Sequence, residues 1–219
     1  METSSEYQEK GFVSLPDLLA PEIVSVYLSI MQSAMGNDLE SQKRFLSDTV
    51  LLPVKSYEVP SASFPFALPL LWGLTPMMEL VTKRKLLPSY SWGRIYPKGG
   101  LCVVHNDRRA NEHSLNLTLG YSDDLIWDFC VAPKQLSDDL IDHNVAYKDF
   151  GDLDYERLSM KAGDAVAYHG PKHYHGRIDP NPNRWSAHVF LGWVEKDGAQ
   201  KAHAFEKMLV PPLADFFFE

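Results

Sequence analysis

Apolar residues in the first third of the chain recur at helical spacing. Within residues 16–38 they stand every three or four positions, at Ile23, Val26, Tyr27, Ile30 and Met31. This spacing predicts an amphipathic helix that begins near Pro21 and ends at Gly36. The segment 59–71 contains too many prolines to form a regular element.

A second helix is predicted over residues 75–86, because Thr75 is a suitable N-cap and Pro76 suits the first helical position. The end of this segment carries Lys83, Arg84 and Lys85, whose positive charges complement the helix dipole. Residues 1–88 are therefore expected to form a helical N-terminal support for the rest of the chain.

The pattern changes at residue 89 to short segments of β-branched and aromatic residues, which turn residues separate. These segments predict strands at 89–97, 101–107, 114–121, 125–132, 155–160, 164–170 and 185–195. Residues 133–154 show no strand pattern and are expected to form a surface insertion, of a length that often covers a substrate. Helices followed by about seven or eight strands favour a mainly β fold with flanking helices, a sandwich or jelly roll, in one domain over 1–219.

The composition is that of a soluble protein with a substantial core. Of the 219 residues, 45% are hydrophobic and 23% are charged, and the formal net charge is −8. This acidic balance argues against binding to nucleic acid or to an anionic membrane, although it permits a local basic pocket for a small acid. Cys102 and Cys130 each lie in an apolar stretch and are expected to be buried, reduced thiols.

The two ends of the chain give expectations about location and assembly. The N-terminal sequence METSSEYQEK lacks the basic and apolar regions of a secretion signal, and proline or charge interrupts the longest apolar runs. A cytoplasmic location without membrane contact is therefore expected. The tail, residues 196–219, carries three phenylalanines near its end. We expect them to dock on the protein or to mark a surface for homodimer formation.

The first candidate for chemistry is the pair His105 and Asp107. On a strand, residues two apart point to the same face, so the imidazole and the carboxylate can reach one point. A metal site needs a third ligand, and His169, His173 and His175 are available downstream. Two histidines and one carboxylate leave coordination positions free, as in non-haem Fe(II) oxygenases. On its own, a His-x-Asp pair also occurs by chance.

Arg184 opens the last predicted strand, nine residues after His175. An unpaired buried guanidinium is costly, and a carboxylate is its best-matched partner. Either the chain supplies that carboxylate or a bound acid does. If the strand alternates, Ser186, His188 and Phe190 share a face with Arg184, and His188 then hydrogen-bonds a co-substrate or is a satisfied core histidine.

In this order Tyr96, His105-x-Asp107, His175 and Arg184 resemble the Fe(II)- and 2-oxoglutarate-dependent dioxygenases, especially the prolyl-hydroxylase-like branch. The segments IYPKGGLCVVHND and KAGDAVAY are similar to those that precede the two ligand positions in that family. The resemblance covers residues 89–195. It implies a double-stranded β-helix core, of the jelly-roll or cupin-like type, over this range.

The resemblance also implies roles for individual residues. His105, Asp107 and His175 would bind Fe(II), with His173 and then His169 as rivals for the third position. Arg184 would hold the distal carboxylate of 2-oxoglutarate. Three groups of residues complete these expectations: Tyr96, Ser186 and His188 beside the co-substrate; Leu117, Leu119 and Tyr121 turned inward, with Tyr121 also assigned to the co-substrate; and Arg177, placed as a substrate contact or as a rival anchor.

The activity that the resemblance implies is hydroxylation of a C–H bond of a small, amino-acid-like metabolite. 2-Oxoglutarate and O₂ would be consumed, succinate and CO₂ released, and ascorbate would support turnover. Asp107 stands where related halogenases carry a small residue, which disfavours halogenation. Two alternatives stay open: a prolyl-type hydroxylase that acts on a peptide or protein, and a non-catalytic cupin-like module that binds a metal or ligand.

Charged residues follow the first ligand pair directly. Arg108, Arg109 and Glu112 are expected to rim the mouth of the pocket and to be candidates for reading an acidic or zwitterionic substrate. The alternative is that these side chains are solvated loop charges without a ligand.

Overall fold

A computed structural model describes residues 2–141 and 146–206. Within these ranges the helices are α1 (Glu2–Lys10), α2 (Pro21–Met35), α3 (Leu39–Lys43) and α4 (Ala67–Thr82). The strands are β1 (Phe12–Leu15), β2 (Leu46–Ser47), β3 (Ser56–Pro60), β4 (Leu86–Pro97), β5 (Cys102–His105), β6 (His113–Tyr121), β7 (Phe129–Val131), β8 (Glu156–Leu158), β9 (Ala165–Tyr168), β10 (His175–Arg177) and β11 (Trp185–Glu195). The three phenylalanines of the tail lie outside the described residues, so the expectation of a homodimer stays a prediction.

The strands form two antiparallel sheets. The larger sheet has the order β1-β9-β6-β11-β4-β3-β2, and the smaller one has the order β5-β10-β7-β8. From β4 to β11 the chain passes repeatedly between the sheets, so that strands distant in sequence, such as β4 and β11, become neighbours. This is the jelly-roll arrangement of a double-stranded β-helix, and it confirms the fold predicted from the sequence.

The larger sheet packs its outer face against the helices. Leu115, Leu117 and Leu119 of β6 are buried there with Met31 of α2 and Met78 of α4. Each such side chain contributes roughly 1.5–3 kcal/mol by leaving water. The opposite face of this sheet looks towards the smaller sheet and carries polar and aromatic residues.

A bulge in β6 shows that the prediction of Leu117, Leu119 and Tyr121 all facing inward was wrong for the two leucines. Leu117 faces the helices, and Leu119 has no partner on β11, because Ala187 pairs with Gly120 while His188 pairs with Thr118. An extra residue in one strand reverses the alternation of side chains beyond it. The two leucines are therefore buried against the helices and not between the two sheets. Tyr121, beyond the bulge, points into the space between the sheets, as predicted.

The first predicted helix is confirmed as α2, which ends where Gly36 takes a positive φ of 81°. The second prediction has the wrong start. Helix α4 begins at Ala67, and Pro76 lies inside it rather than at its first position. Thr75 does not cap the helix, since its hydroxyl donates to the carbonyl of Leu71 and accepts from the indole of Trp193.

The described residues of the insertion at 133–154 do not line the cavity between the two sheets, which contains His105 and is described below. Tyr147 forms a β-bridge with Val104, and Phe150 is buried beside the same strand β5. The carbonyl of Ile141 accepts a hydrogen bond from the side chain of Asn106. The described residues of this segment therefore brace the strand that carries His105, and the interpretation as a lid has no support from them.

Among the described residues, no helix is long and apolar enough to cross a membrane.

Candidate metal centre

Three candidate ligands meet where β5 ends and β10 begins. His105 is the last residue of β5, His175 is the first of β10, and the two are paired directly across the strands. Oδ1 of Asp107 lies 3.8 Å from Nε2 of His105 and 3.5 Å from Nε2 of His175. One ligand atom of each residue lies within 4.8 Å of the others, which no other group of three His, Cys, Asp or Glu achieves among the described residues. The structure thus brings the three predicted ligands together.

Backbone carbonyls orient both histidines. Nδ1 of His105 lies 2.8 Å from the carbonyl oxygen of Val103, and Nδ1 of His175 lies 2.9 Å from that of His173. Because a carbonyl only accepts, each Nδ1 carries the proton and each Nε2 offers its lone pair to a metal. Burial and the neighbouring His175 lower the pKa of His105 to about 4, so this ring is neutral at neutral pH.

Asp107 is held from two sides. The hydroxyl of Ser114 on β6 donates to its Oδ2 at 3.0 Å, and its backbone N–H donates to the carbonyl of Gly170 at 3.0 Å. Burial acts to raise the pKa of Asp107, but His175, His105 and the Ser114 hydroxyl outweigh it and lower that pKa below its usual value. The carboxylate is therefore ionised at neutral pH, with Oδ1 directed at the histidines.

Substitution of Gly170 is expected to displace this carboxylate. A Cβ at position 170 would lie 2.3 Å from Oδ2 of Asp107 and 2.8 Å from its Cβ, which is too close for either to stay in place. We expect Gly170→Ala to weaken divalent-metal affinity about 10- to 100-fold, as measured by titration calorimetry. Gly73→Ala is the matched control, because a Cβ there meets nothing within 4 Å. Equal metal affinity in the two variants would contradict this assignment.

The two rival histidines lie elsewhere. His173 is fully buried, its Nδ1 lies 2.9 Å from the carbonyl oxygen of Ala132, and its ring packs against Phe12. The ring of His169 lies 5.2 Å from that of His113, and burial lowers the pKa of His169 to about 3. Neither residue lines the cavity that contains the candidate centre.

The centre opens into a cavity of about 200 Å³ between the two sheets. Its wall combines aromatic, basic and amide side chains, which include Tyr90, Trp92, Arg94, Tyr96, Arg108, Asn111, Asn116, Phe129, Tyr168, Arg177 and Phe190. Every second residue of β4 contributes, because side chains of a strand alternate between its faces. The volume is below that of typical drug-sized sites and suits small ligands.

Arg184 does not reach this cavity. Its side chain is 73% exposed, and its Nε lies 3.3 Å from Oδ1 of Asp123, whose Oδ2 also accepts the backbone N–H of Arg184 at 2.7 Å. The chain therefore supplies the carboxylate partner itself. We correct the prediction that Arg184 holds the co-substrate, because β11 begins one residue later and its inward positions start after Arg184.

Arg177 of β10 is the arginine that the cavity buries without a countercharge. It is 1% exposed, and its hydrogen-bond partners are the carbonyl of Trp127, the sulfur of Met160 and the ring of His188. Its Nε has no hydrogen-bond partner, and no carboxylate among the described residues pairs with it. Because an uncompensated buried guanidinium is strongly unfavourable, this arrangement suits the binding of an anion.

A second cavity arginine, Arg94 of β4, was not identified from the sequence. It forms an ion pair with Glu58 of β3 and donates to the hydroxyl of Tyr96 at 3.1 Å. Its charge is therefore compensated within the chain. The signal for Arg94 was its alternation with Trp92 and Tyr96, which places all three on one face of the strand.

Of the remaining predicted co-substrate residues, His188 contacts Arg177 directly. His188 lies 3.3 Å from Nη2 of Arg177, and burial and the charge of Arg177 lower the pKa of His188 well below its usual range. Nε2 of His188 and the hydroxyl of Ser186 are buried without partners. Tyr96 lines the cavity, whereas the hydroxyl of Tyr121 already donates to the carbonyl of Met160 at 2.7 Å.

Of the predicted substrate residues Arg108, Arg109 and Glu112, the structure places one in the cavity wall. Arg108 lines the cavity, while Arg109 lies outside the wall, near Asp138. Glu112 accepts the backbone N–H of Glu195 at 2.8 Å and has a structural contact instead. Asn116, which also faces the cavity, was missed because β6 was placed with its leucines inward.

No protein-family model and no curated protein matches the sequence. Solved structures do match. The non-haem α-ketoglutarate-dependent carbocyclase SnoK from nogalamycin biosynthesis is 14% identical with a TM-score of 0.68, over 92% of this chain and 88% of that one. HygX from Streptomyces hygroscopicus, with nickel and 2-oxoglutarate bound, is 14% identical with a TM-score of 0.62, over 90% and 87%.

A prolyl-4-hydroxylase from Pseudomonas putida is 11% identical with a TM-score of 0.57, over 87% of this chain and 97% of that one. At these identities the likeness establishes the fold. Three proteins that differ in the reactions or ligands they are named for share it, so the reaction must be argued from the site of each chain. The chain has the fold of the Fe(II)- and 2-oxoglutarate-dependent oxygenases.

Proposed function

We propose that this protein is an Fe(II)- and 2-oxoglutarate-dependent oxygenase that hydroxylates a C–H bond of a small polar molecule. One observation carries the proposal. A His-Asp-His set and the uncompensated Arg177 face the same cavity, and His175 and Arg177 stand two residues apart on one strand. A diacid whose one end binds a metal and whose other end pairs with an arginine fits this arrangement.

The residues present fit iron. Two imidazole nitrogens and one carboxylate form the donor set of non-haem Fe(II) oxygenases, and the three ligand atoms lie within 4.8 Å of one another. Hydrogen bonds from the Nδ1 atoms to backbone carbonyls fix both rings before any metal binds. Asp107 also provides the carboxylate that the halogenating relatives lack, which favours hydroxylation.

Each residue then has a separate task. His105, Asp107 and His175 would hold the iron, and Arg177 would pair with the distal carboxylate of 2-oxoglutarate. Iron, 2-oxoglutarate and O₂ supply the oxidising chemistry: the C–H bond becomes C–OH with one oxygen atom of O₂, and the other oxygen atom enters succinate as CO₂ leaves. Neutral His188 accepts or donates beside Arg177, and the aromatic wall keeps water from the reacting carbon.

Cavity size supports a small substrate over a peptide. A volume of about 200 Å³ must hold the co-substrate and the reacting group, which leaves little space for a folded or extended chain. The prolyl-type alternative would require the cavity wall at Arg108 to open into a groove. The non-catalytic alternative requires the same metal site without turnover.

The proposal predicts metal-dependent succinate formation. Purified protein with Fe(II), ascorbate, O₂ and 2-oxoglutarate should convert 2-oxoglutarate to succinate above the background without protein, and more so with a pool of small polar metabolites. Removal of the metal with a chelator should abolish this conversion, and Fe(II) should restore it. Zn(II), which has no redox chemistry, should bind without restoring it. Mass spectrometry of succinate measures the outcome under each condition.

Two outcomes separate the alternatives. Metal binding without succinate under any condition would favour the non-catalytic module. Succinate formation stimulated by proline-containing peptides but by no small metabolite would favour the peptidyl hydroxylase.

A further inference from the structure

A continuous stack of side chains forms one wall of the cavity. The Arg108 guanidinium lies 4.4 Å from the centre of the Tyr90 ring, which stacks on Trp92 at 5.0 Å. Trp92 stacks in turn on Phe190 at 5.1 Å, and Arg94 lies 5.5 Å from the centre of the Phe190 ring. Both faces of Trp92 are covered by rings, and each end of the stack is covered by a cation. The wall therefore has no free ring face on which a flat ligand could stack.

Polar atoms of this wall are buried without partners instead. They are Nη2 of Arg108, Nε1 of Trp92, Oδ1 of Asn111, and both side-chain atoms of Asn116. Each of these residues lines the cavity. Nη2 of Arg108, Nε1 of Trp92 and Nδ2 of Asn116 are donors, whereas the two amide oxygens are acceptors. Buried polar groups without hydrogen bonds cost free energy, so the three donors favour a ligand that accepts hydrogen bonds.

The charges of the wall are one-sided. Among the described residues that line the cavity, Asp107 is the single acidic side chain, and it belongs to the metal centre. Arg94 and Arg177 are assigned to Glu58 and to the co-substrate. The ammonium group of an amino acid would find no carboxylate to pair with, whereas a carboxylate would find Arg108.

We propose, resting on the proposed function, that the substrate is a small carboxylic acid without a basic amine and that Arg108 binds its carboxylate. This proposal replaces the broader class of amino-acid-like substrates expected from the sequence with carboxylic acids that carry no amine. Arg108 is held in place by Tyr90, whose hydroxyl accepts from Nε at 3.2 Å, and by Glu206, which lies 2.6 Å from Nη1. Nη2 has no partner and is available to the substrate carboxylate. Glu206 and that carboxylate would compete for the positive charge of Arg108.

This competition gives two variants opposite expectations. Arg108→Gln removes the charge and should weaken binding of a carboxylate about tenfold or more. Glu206→Gln removes the competitor and should leave that binding unchanged or tighter. If Arg108 and Glu206 only hold the fold together, both variants should weaken binding to the same extent. Arg108→Lys keeps the charge and should recover part of the affinity.

Four probes with one carbon skeleton test the chemistry: butanoate, butanamide, butylamine and 2-aminobutanoate. Their binding is measured by calorimetry to the Fe(II)-loaded protein with saturating 2-oxoglutarate and without O₂, so that the co-substrate position is filled and no turnover is needed. We expect butanoate to bind tightest and butylamine weakest, and Arg108→Gln to lower the affinity for butanoate but not for butanamide. Thermal unfolding confirms that each variant is folded.

The proposal is overturned if butanoate does not bind, if butylamine or 2-aminobutanoate binds more tightly than butanoate, or if Arg108→Gln leaves butanoate binding unchanged. It is also overturned if Glu206→Gln weakens butanoate binding as much as Arg108→Gln does. Failure of the proposed function is recognised separately, by the absence of succinate formation in the turnover assay.

Discussion

Replacement of His175 by alanine is expected to abolish both tight Fe(II) binding and succinate formation. The variant removes one of three ligands and leaves a two-ligand site that holds a divalent ion poorly. Loss of a ligand from such a set is expected to lower turnover by at least about 1,000-fold, because the remaining pair neither retains nor orients the metal. Metal titration and the succinate assay measure the two effects.

The matched control is His173→Ala, two residues earlier. His173 is as buried as His175, but its ring contacts Phe12 and the carbonyl of Ala132, not the cavity. We expect this variant to lose about 2–4 kcal/mol of stability, as large-to-small changes in a core do, and to keep its metal affinity. Thermal unfolding measures the loss of stability, and metal titration measures the affinity. Loss of metal binding in His173→Ala, with binding retained in His175→Ala, would reverse the ligand assignment.

The cluster of candidate metal ligands could be predicted from the sequence, because its geometry depends on local regularities. His105 and Asp107 are two residues apart at the end of an apolar strand, and His175 follows the turn and strand that precede the distal ligand in the family. Sequence spacing fixes such relations once the strands are recognised. The jelly roll itself followed from the run of short strands, although β10 is three residues long and left no pattern of its own.

The placement of Arg184 could not be predicted in the same way, because it depends on one residue of register, although Arg177 was already a rival candidate for the anchor. Arg184 stands directly before β11, and that single position decides whether its side chain enters the cavity or pairs with Asp123 in solvent. The bulge in β6 has the same character, since it turns Tyr121 inward and leaves Leu119 unpaired. Apolar alternation cannot reveal an extra residue in a strand, whereas the hydrogen-bond register shows it directly.

Helix α4 was misplaced for a different reason. Pro76 suits a first turn, and the sequence alone favours that position over a helix interior. The apolar run that begins at Ala67 buries its side chains against the larger sheet and α1, and that gain outweighs the missing backbone hydrogen bond. Tertiary packing thus determined where helix α4 begins, whereas local sequence preferences predicted a later start.

Replacement of Arg177 by glutamine is expected to raise the KM for 2-oxoglutarate by about 100-fold or more, while Fe(II) affinity stays within a few fold. A buried charge-assisted pair between guanidinium and carboxylate is worth about 3 kcal/mol when one partner is removed, and 1.4 kcal/mol corresponds to a factor of ten. Arg184→Gln is the matched control. Since its side chain pairs with Asp123 in solvent, its KM for 2-oxoglutarate should change less than about twofold.

Arg177→Met gives the same assignment a readout that does not depend on turnover. Without a bound acid, Arg177 is a buried cation that no described carboxylate compensates, so it costs stability in the free protein. Methionine removes that cost, and the variant should unfold at the same or a higher temperature than the parent when 2-oxoglutarate is absent. A ligand that binds only the folded state at 100 times its Kd stabilises it by about 2.7 kcal/mol, and this gain should vanish in the variant. If 2-oxoglutarate still raised the unfolding temperature of Arg177→Met but not that of Arg184→Gln, the anchor would be Arg184 after all.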